Sequence, residues 1–268
     1  MSVVLDRWPE GKSLAVAWSF DDGFAGDAAV IERLNTRGAR GTFHLSNAFL
    51  GSPGYVSAAQ IREVYAGHEV AAHGLSHSYL TLVPPVLRRD EIRRNRLALE
   101  ELSGQAVVGL AYPGGYYNRD VEQAAREAGC AYARSTVSTQ DIAFPAAEEF
   151  TLHPTCHERN LSDALINRFL HPANESRGRF LLVWGHAVEL DKEKRWDGLE
   201  RQLDLLCARQ KDIWWCTLSE VARYLAALRR LHVDQDGGII RNASASEIFL
   251  SRNGQLCRLL PDESLSWK

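Results

Sequence analysis

The sequence of 268 residues predicts one large α/β domain built on parallel strands, followed by a small β addition. Short apolar runs alternate with longer helical patterns along most of the chain, and repeated strand and helix units imply a parallel sheet, either open or closed into a barrel. The position of the polar residues favours the barrel, because barrel enzymes assemble their sites at the rim formed by the C-terminal strand ends. The residues at these strand ends are Asp21, Asp22, His73, Tyr112, Arg134 and His186.

The order of the elements follows from the local pattern. Apolar runs of strand length predict strands at residues 14–20, 41–45, 69–73, 107–112, 132–136, 152–155, 180–186 and 213–217. Apolar residues at three- and four-residue spacing predict helices near residues 27–37, 57–65, 85–102, 119–128, 162–170, 196–208 and 218–231.

The tail of the chain changes character from about residue 232. Asp236-Gly237 and Asn253-Gly254 are hairpin turn signals between strand-like runs at residues 238–241, 247–251 and 255–260. We therefore divide the chain into a barrel domain at residues 1–230 and a C-terminal β extension at residues 231–268.

Composition argues against several classes of protein. The net charge of -3, from 31 basic and 34 acidic residues, provides no field that would attract nucleic acid or an anionic membrane. The five cysteines are scattered and lack C-x-x-C spacing, so they predict neither a disulfide framework nor a zinc knuckle. The N-terminus lacks the layout of a signal peptide, and no run reaches the ~18 apolar residues of a spanning helix. We expect a cytoplasmic protein without membrane insertion.

Two adjacent aspartates, Asp21 and Asp22, end the first apolar run and precede Gly23. Neighbouring carboxylates disfavour each other's ionisation unless a cation or strong donors compensate. Asp-Asp-Gly alone is most often a turn, but His73 and His77 follow a later strand at the same rim. Asp22 and the two histidines match the three ligands of a catalytic zinc-type site. Asp21 stays free as a base toward a metal-bound water, whose pKa falls to about 7.

The cofactor predicted from this donor set is a divalent metal. Zinc is the default for one aspartate and two histidines. Mixed nitrogen and oxygen sites also bind other divalent ions, and the order of affinities alone does not choose among them.

Four segments resemble the signatures of the polysaccharide deacetylase family, carbohydrate esterase family 4. In chain order the segments are Ser19-Phe-Asp-Asp-Gly23, His73-Gly-Leu-Ser-His77, Leu110-Ala-Tyr-Pro-Gly-Gly-Tyr-Tyr-Asn118 and Leu182-Val-Trp-Gly-His186. The first two match the family in order and spacing, and the resemblance covers roughly residues 12–230. It implies a distorted (β/α)7 barrel and metal-dependent hydrolysis of an N-acyl amide, usually on an N-acetylated amino sugar.

The resemblance also implies roles for individual residues. Carried over by motif, Asp21 is the base, Asp22, His73 and His77 bind the metal, and His186 is the acid that protonates the leaving amine. The third signature implies substrate contacts at Tyr112, Pro113, Gly114 and Tyr116, with the Gly114 N–H as donor to the oxyanion.

Two positions depart from the family pattern. The third signature commonly has an arginine that holds the catalytic aspartate, and this chain has Ala111 there. We hypothesise that Arg134, which ends the next strand, orients Asp21 instead; a surface or substrate-facing arginine is the alternative. Trp184 stands where the last signature commonly has a leucine lining the acyl pocket. It would narrow that pocket toward acetyl or formyl, unless it is a core residue without substrate contact.

A carboxylate should hold His186, because a general acid needs its tautomer and its charge fixed. Asp141 is the first choice from the sequence, and Glu189 and Asp191 are the alternatives.

The remaining histidines receive simpler interpretations. His157, at another strand end, is expected to line the substrate cleft. A second metal site formed by His153, Cys156 and His157 is disfavoured, because the cluster has no carboxylate. His44 and His68 are interpreted as structural residues.

The sequence thus predicts a metal-dependent hydrolase that removes an N-acyl group from an amino sugar or a related small N-acyl compound. Acetyl is the first candidate for that group. The alternatives are a non-catalytic carbohydrate-binding module on the same barrel and a hydrolase of non-sugar amides such as ureides. The expected partner is a small-molecule or saccharide substrate. The oligomeric state stays open, a homo-oligomer included.

Overall fold

The structure is a computed structural model that describes residues 3–145, 150–171, 177–234 and 238–266. The strands are β1 (Val3–Val4), β2 (Leu14–Asp22), β3 (Gly41–Leu45), β4 (Glu69–Ala72), β5 (Gly109–Ala111), β6 (Tyr132–Arg134), β7 (Cys156–His157), β8 (Arg179–Gly185), β9 (Ile213–Trp215), β10 (Leu231–Val233), β11 (Ile239–Asn242), β12 (Ile248–Arg252), β13 (Gln255–Leu259) and β14 (Ser264–Ser266). The α-helices are α1 (Asp27–Asn35), α2 (Ile61–Val64), α3 (Pro85–Ser103), α4 (Arg119–Glu127), α5 (Asp163–Leu170), α6 (Ala187–Lys192), α7 (Trp196–Cys207) and α8 (Leu218–Leu228).

The helix ends follow from local chemistry. The Asn118 side chain accepts a hydrogen bond from the backbone of α4, and Ser162 does the same for α5. Thr217 and Glu220 form a reciprocal capping box at the start of α8. Helix α3 ends at Gly104, whose φ of 72° is the left-handed conformation that a glycine adopts easily.

The central sheet is parallel and has the strand order β6-β5-β4-β3-β2-β8-β7, with β9 against the first half of β2. It curls back on itself through Leu152, whose N–H donates to Ala133 and whose carbonyl accepts from Ser135. The same segment reaches β8 through β7, so it bridges the two ends of the sheet. The predicted distorted (β/α)7 barrel is therefore confirmed.

Several element bounds differ from the prediction. The strand expected at residues 152–155 is a single bridge at Leu152, followed by β7, because the segment passes from one neighbouring strand to the other. Helix α8 ends at Leu228 rather than at residue 231, where β10 begins. Helix α6 and strands β1, β10 and β14 were not predicted.

The C-terminal β strands form two small antiparallel sheets, in the orders β1-β12-β13 and β10-β11-β14. The Asn253-Gly254 turn joins β12 to β13 with φ values of 50° and 78°, the geometry that the sequence pattern indicated. The other predicted turn, Asp236-Gly237, lies outside the described residues. Strand β1 brings the N-terminal end of the chain into the first sheet. The division at residue 230 stays a prediction.

The core fills the space between the central sheet and its helices, with a second cluster around Trp8 and α8. The Trp8 indole donates to the Arg179 carbonyl at 2.8 Å, and the Tyr224 hydroxyl donates to the Arg7 carbonyl at 2.8 Å. Among the described residues, no helix combines the length and the apolar character needed to cross a membrane.

Candidate active site

Three side chains from the ends of β2 and β4 meet at the rim of the barrel. The Nε2 atoms of His73 and His77 lie 3.2 Å apart, and they approach Asp22 Oδ1 to 3.4 and 3.2 Å. One potential ligand atom from each residue lies within 4.8 Å of the other two. The three residues predicted to bind metal are therefore brought together.

The hydrogen bonds around this group direct one ring nitrogen of His73 inward. His73 Nδ1 lies 2.8 Å from the Ala111 carbonyl, which can only accept, so Nδ1 carries a proton and Nε2 is the nitrogen that faces Asp22 and His77. Asp22 Oδ1 is buried and has no hydrogen-bond partner among the described residues. Two imidazole nitrogens and a carboxylate oxygen that converge without other partners fit a divalent cation.

The backbone at two of these residues is unusual. Asp22 has a φ of 79° and His77 a φ of 56°, both in the left-handed region that side chains other than glycine rarely occupy. Such conformations cost of order 1–3 kcal/mol and cluster at functional sites. The unusual backbone at Asp22 therefore supports a functional role for the Asp-Asp-Gly turn.

The two carboxylate oxygens of Asp21 have different surroundings. Arg134, fully buried at the end of β6, donates through Nη2 to Asp21 Oδ1, and His44 Nδ1 lies 3.4 Å from the same oxygen. Asp21 Oδ2 instead faces His73 Nε2 at 4.0 Å. The sequence hypothesis proposed the Arg134 contact but treated His44 as structural; its place on β3 beside the end of β2 was the available signal.

Electrostatics keep both aspartates ionised. Burial raises the pKa of Asp21, but Arg134, His73 and His44 outweigh it and lower that pKa well below its usual range. Burial also raises the pKa of Asp22, and the two histidines at the site outweigh it and lower the value. His44 itself has a pKa lowered to about 4 by burial, so it is neutral near pH 7.

His186 follows β8 and faces the same site, with Nε2 3.9 Å from Asp22 Oδ2. Its other nitrogen, Nδ1, lies 3.4 Å from Glu189 Oε1. The first choice of orienting carboxylate, Asp141, was wrong: it is exposed and accepts from the Ala143 backbone instead. Glu189 reaches His186 because α6 places it one turn further along the chain.

The other alternative, Asp191, is also occupied elsewhere. Its carboxylate accepts a hydrogen bond from the Trp196 indole at 2.7 Å. Burial lowers the pKa of His186, but the carboxylates of Glu189, Asp21 and Asp22 outweigh it and raise that pKa above its ordinary value.

Glu189 is held in turn by basic groups. His157 Nε2 lies 3.0 Å and Arg159 Nη2 lies 3.1 Å from Glu189 Oε2, with Arg195 at 4.0 Å. His157, His186 and Glu189 are close enough to form a second group of potential metal ligands. Two guanidinium groups beside the carboxylate disfavour a cation there. The group is better suited to fixing His186.

The structure separates the substrate residues of the third signature. Tyr112 is only 1% exposed and its hydroxyl donates to the Phe150 carbonyl, so it packs beneath the rim rather than facing a substrate as predicted. Pro113 is buried as well. Gly114 and Tyr116 lie at the surface. Gly114 has a φ of 65°, and a Cβ added there would lie 2.6 Å from Tyr79, so a larger residue does not fit.

The Trp184 ring contacts three basic side chains at the site, His157, His186 and Arg134. It meets His157 edge to face at 4.7 Å and His186 at 5.5 Å, and Arg134 lies 5.2 Å from the ring centroid. It is half-buried, so one part of the indole is available to the site. His157 is 9% exposed, and its Nε2 pairs with Glu189.

An aromatic stack that the sequence did not single out bounds the site. Phe24 stacks on Tyr55 at 4.5 Å, and Tyr55 stacks on Phe49 at 4.9 Å. Phe24 contacts His186 at one end and Phe49 contacts His77 at the other. In the sequence, the feature that could have indicated this stack is the position of Phe24 directly after Asp-Asp-Gly.

His153 and Cys156 lie in different surroundings. His153 pairs through Nδ1 with the Ser135 hydroxyl at 2.7 Å, and Cys156 is buried on β7.

The sequence was compared with known protein families and with curated proteins. Residues 9–133 match the family described as polysaccharide deacetylase. No curated protein has a significant sequence match to the chain. The match includes the first three of the four segments, and over these residues the resemblance to the polysaccharide deacetylase family is confirmed.

Solved structures share the fold at low sequence identity. A Mycobacterium smegmatis protein assigned to the polysaccharide deacetylases has 20% identity and a TM-score of 0.66, over 85% of this chain and 96% of its own. A mutant of the peptidoglycan deacetylase PdaC from Bacillus subtilis has 14% identity and a TM-score of 0.53, over 83% and 95%. A family 4 acetyl xylan esterase from Clostridium thermocellum, solved with a cobalt ion, has 18% identity and a TM-score of 0.51, over 78% and 89%.

Proposed function

We propose, from the premise that residues 9–133 match the polysaccharide deacetylase family, that the chain is a metal-dependent hydrolase of N-acyl compounds. Its proposed reaction removes an acyl group from an amino sugar or a related small N-acyl compound, and acetyl is the first candidate for that group. The observation that carries the proposal is the convergence of Asp22, His73 and His77 beside an ionised Asp21.

Asp22, His73 and His77 would hold a divalent cation. Zinc is the first candidate because zinc accepts two imidazoles and a carboxylate, and the cobalt ion in the Clostridium thermocellum esterase supports a divalent metal in general. When bound, the cation would polarise the acyl carbonyl and lower the pKa of water.

Asp21 is the proposed base, and its surroundings indicate which oxygen acts. Arg134 and His44 occupy the Oδ1 side, so Oδ2, which faces His73, is the oxygen available to accept a proton from the attacking water. The low pKa keeps the carboxylate ionised but makes it a weak base. A water made more acidic by the cation would offset that weakness.

His186 is the proposed acid. Its raised pKa keeps more of the protonated form near neutral pH, and Nε2 faces the site while Nδ1 faces Glu189. The proton on Nε2 would pass to the amine as the carbon–nitrogen bond breaks. Glu189 stabilises the positive ring and fixes its orientation.

Two further residues would position the acyl group. Gly114 is an exposed residue, and its backbone N–H is the proposed donor to the oxyanion, a role that needs no side chain. Trp184 contacts His186 and Arg134 and would limit the acyl group to a small one. Acetyl and formyl fit that expectation better than longer chains do.

The test is hydrolysis by the purified chain with zinc, cobalt or no metal. It is measured as acetate release from N-acetylglucosamine oligomers and an acyclic acetamide, and as consumption of a ureide. The proposal expects metal-dependent release from the amino sugar. No release from any N-acyl compound, with metal bound, would contradict it and favour a binding module, whereas turnover of the ureide alone would place the chain among hydrolases of non-sugar amides.

A further inference from the structure

An uncharged segment follows the proposed metal ligand His77. Residues 78–87 read Ser-Tyr-Leu-Thr-Leu-Val-Pro-Pro-Val-Leu and have no charged side chain in a sequence that is 24% charged. Its larger apolar side chains lie in solvent: Tyr79 is 46% exposed, Leu82 79%, Val86 84% and Leu87 54%. Tyr116, 57% exposed, packs on Tyr79 with ring centroids 5.0 Å apart. We name Tyr79, Leu82, Val86, Leu87 and Tyr116 the apolar rim.

The exposed conformation of this segment is held in place. Leu80 is fully buried and anchors the segment to the core. Arg88, itself buried, donates to the Val83 carbonyl at 2.9 Å and to the Thr81 carbonyl at 3.1 Å. A buried arginine that satisfies these carbonyls stabilises one conformation. The apolar side chains are thus presented to solvent by a fixed backbone.

Two members of the apolar rim, Tyr79 and Leu82, adjoin the candidate active site. A cleft of about 610 Å³ is lined by His77, Ser78, Tyr79, Leu82, Val83 and Pro84, so it begins at a proposed metal ligand. Tyr79 also lies beside Gly114, the proposed oxyanion donor. A contiguous exposed apolar surface commonly marks a binding site. A molecule whose acyl group reached the metal ligands would place its neighbouring atoms on this surface.

We propose that the apolar rim binds an apolar group of the substrate, so that the substrate is an amphiphile. The inference rests on the proposed function and deepens it. Since Trp184 is proposed to limit the acyl group to a small one, the apolar group is assigned to the amine side of the substrate. The substrate class is an N-acylated amino sugar, or a related amine, that carries an alkyl or aryl group.

The test compares two probes with the same reacting group, the methyl and octyl glycosides of N-acetylglucosamine, each below its micellar concentration. Binding is measured by calorimetry on the metal-loaded Asp21→Asn protein, and acetate release on the wild type. The octyl glycoside is expected to bind at least about tenfold more tightly, because part of its chain leaves water. Leu82→Ser should reduce the difference to about twofold.

Leu256→Ser is the matched control, since Leu256 is 54% exposed on β13, in the small sheet that includes β1 and β12. It should keep the preference for the octyl chain. Acetate release without chain-length preference, or equal loss in both variants, overturns the inference. Octyl binding that depends on Leu82 without any acetate release contradicts the proposed function instead. Sedimentation with anionic vesicles is measured for the same two variants. If Leu82→Ser reduces vesicle binding but leaves the preference for the octyl glycoside unchanged, the rim is a membrane contact and the inference fails.

Discussion

Asp21 is a buried carboxylate whose two oxygens are not equivalent. Oδ1 faces Arg134 and His44, and Oδ2 faces the candidate metal ligands. Burial by itself would favour the protonated acid, so the ionised state depends on these partners. Arg134 has two effects, since it holds the side chain in place and lowers the pKa.

Arg134→Met tests this dependence. Without the guanidinium the pKa of Asp21 rises, so the base is protonated at higher pH and the acid limb of the rate profile moves upward. We expect kcat to fall about a hundredfold through misplacement of the base. The pH dependence of kcat/KM measures the limb.

Removal of one partner of a buried ion pair costs about 3–5 kcal/mol of stability, so Arg134→Met also affects folding. Arg134→Lys is the control for this effect. Lysine keeps the charge, so the acid limb should stay closer to that of the wild type. An acid limb in Arg134→Met that coincides with the wild-type limb would refute the role of Arg134.

Glu189→Gln tests the proposed acid. Removal of the negative charge beside His186 Nδ1 lowers the pKa of His186, so the protonated acid is lost at lower pH and the alkaline limb moves downward. We expect at least about a tenfold loss of kcat at neutral pH. Glu193→Gln is the matched control, because Glu193 follows the same helix and contacts the same Arg159 without reaching His186. Equal profiles for the two variants would count against Glu189.

At the scale of elements, helix α3 fixes the geometry of two strand ends through Asn95. Its buried side chain accepts from the His73 backbone at 2.9 Å and donates to Leu45 and Asn47 at 3.0 and 2.8 Å. The amide therefore joins the ends of β3 and β4 directly below a proposed metal ligand.

Asn95→Ala should destabilise the fold by about 2–4 kcal/mol, because it removes three hydrogen bonds of a buried amide and leaves the His73 N–H and the Leu45 carbonyl only their bond to each other. It should also weaken zinc binding, since His73 loses support. Denaturant unfolding and zinc titration measure the two effects. Asn167→Ala, an exposed asparagine on α5, is the control. If both variants behave alike, α3 does not position the site.

Most elements were predictable, and the exceptions have local causes. The apolar run beginning at Leu14 predicted β2, and the chain continues in strand geometry through Asp22 because both residues of the pair align with β3. Helix α6 is only six residues long and directly follows His186, so its periodicity was too short to recognise. Without that helix, Glu189 did not stand out from Asp141 as the neighbour of His186.

At the scale of the whole molecule, the parallel barrel collects residues that are far apart in the chain. Motif order predicted that the ends of β2, β4 and β8 would meet, since parallel strands end at one rim. The stack of Phe24, Tyr55 and Phe49 and the contact of His44 with Asp21 could not be predicted from a single sequence. They depend on loop paths and on side-chain direction across neighbouring strands, which carry no periodic signal.

Metal removal should lower the stability of the native fold. The chelated protein keeps Asp22, His73 and His77 converging on one point without a cation, and only the folded chain assembles these ligands, so metal binding stabilises the native state. With free zinc a thousandfold above its Kd the gain is about 4 kcal/mol, seen as a higher Tm. Chelation should lower the Tm and abolish acetate release, and added zinc should restore both. A Tm unaffected by chelation of a zinc-loaded sample would contradict the site.

The central claim is that Asp22 binds the metal while Asp21 moves the proton. Bound metal per chain and initial rate of acetate release, measured together in Asp21→Asn and Asp22→Asn, test it most directly. The account predicts that Asp21→Asn retains about one metal ion but loses at least about a hundredfold in rate, whereas Asp22→Asn loses the metal as well. Full activity in Asp21→Asn, or full metal content in Asp22→Asn, would contradict the division of roles.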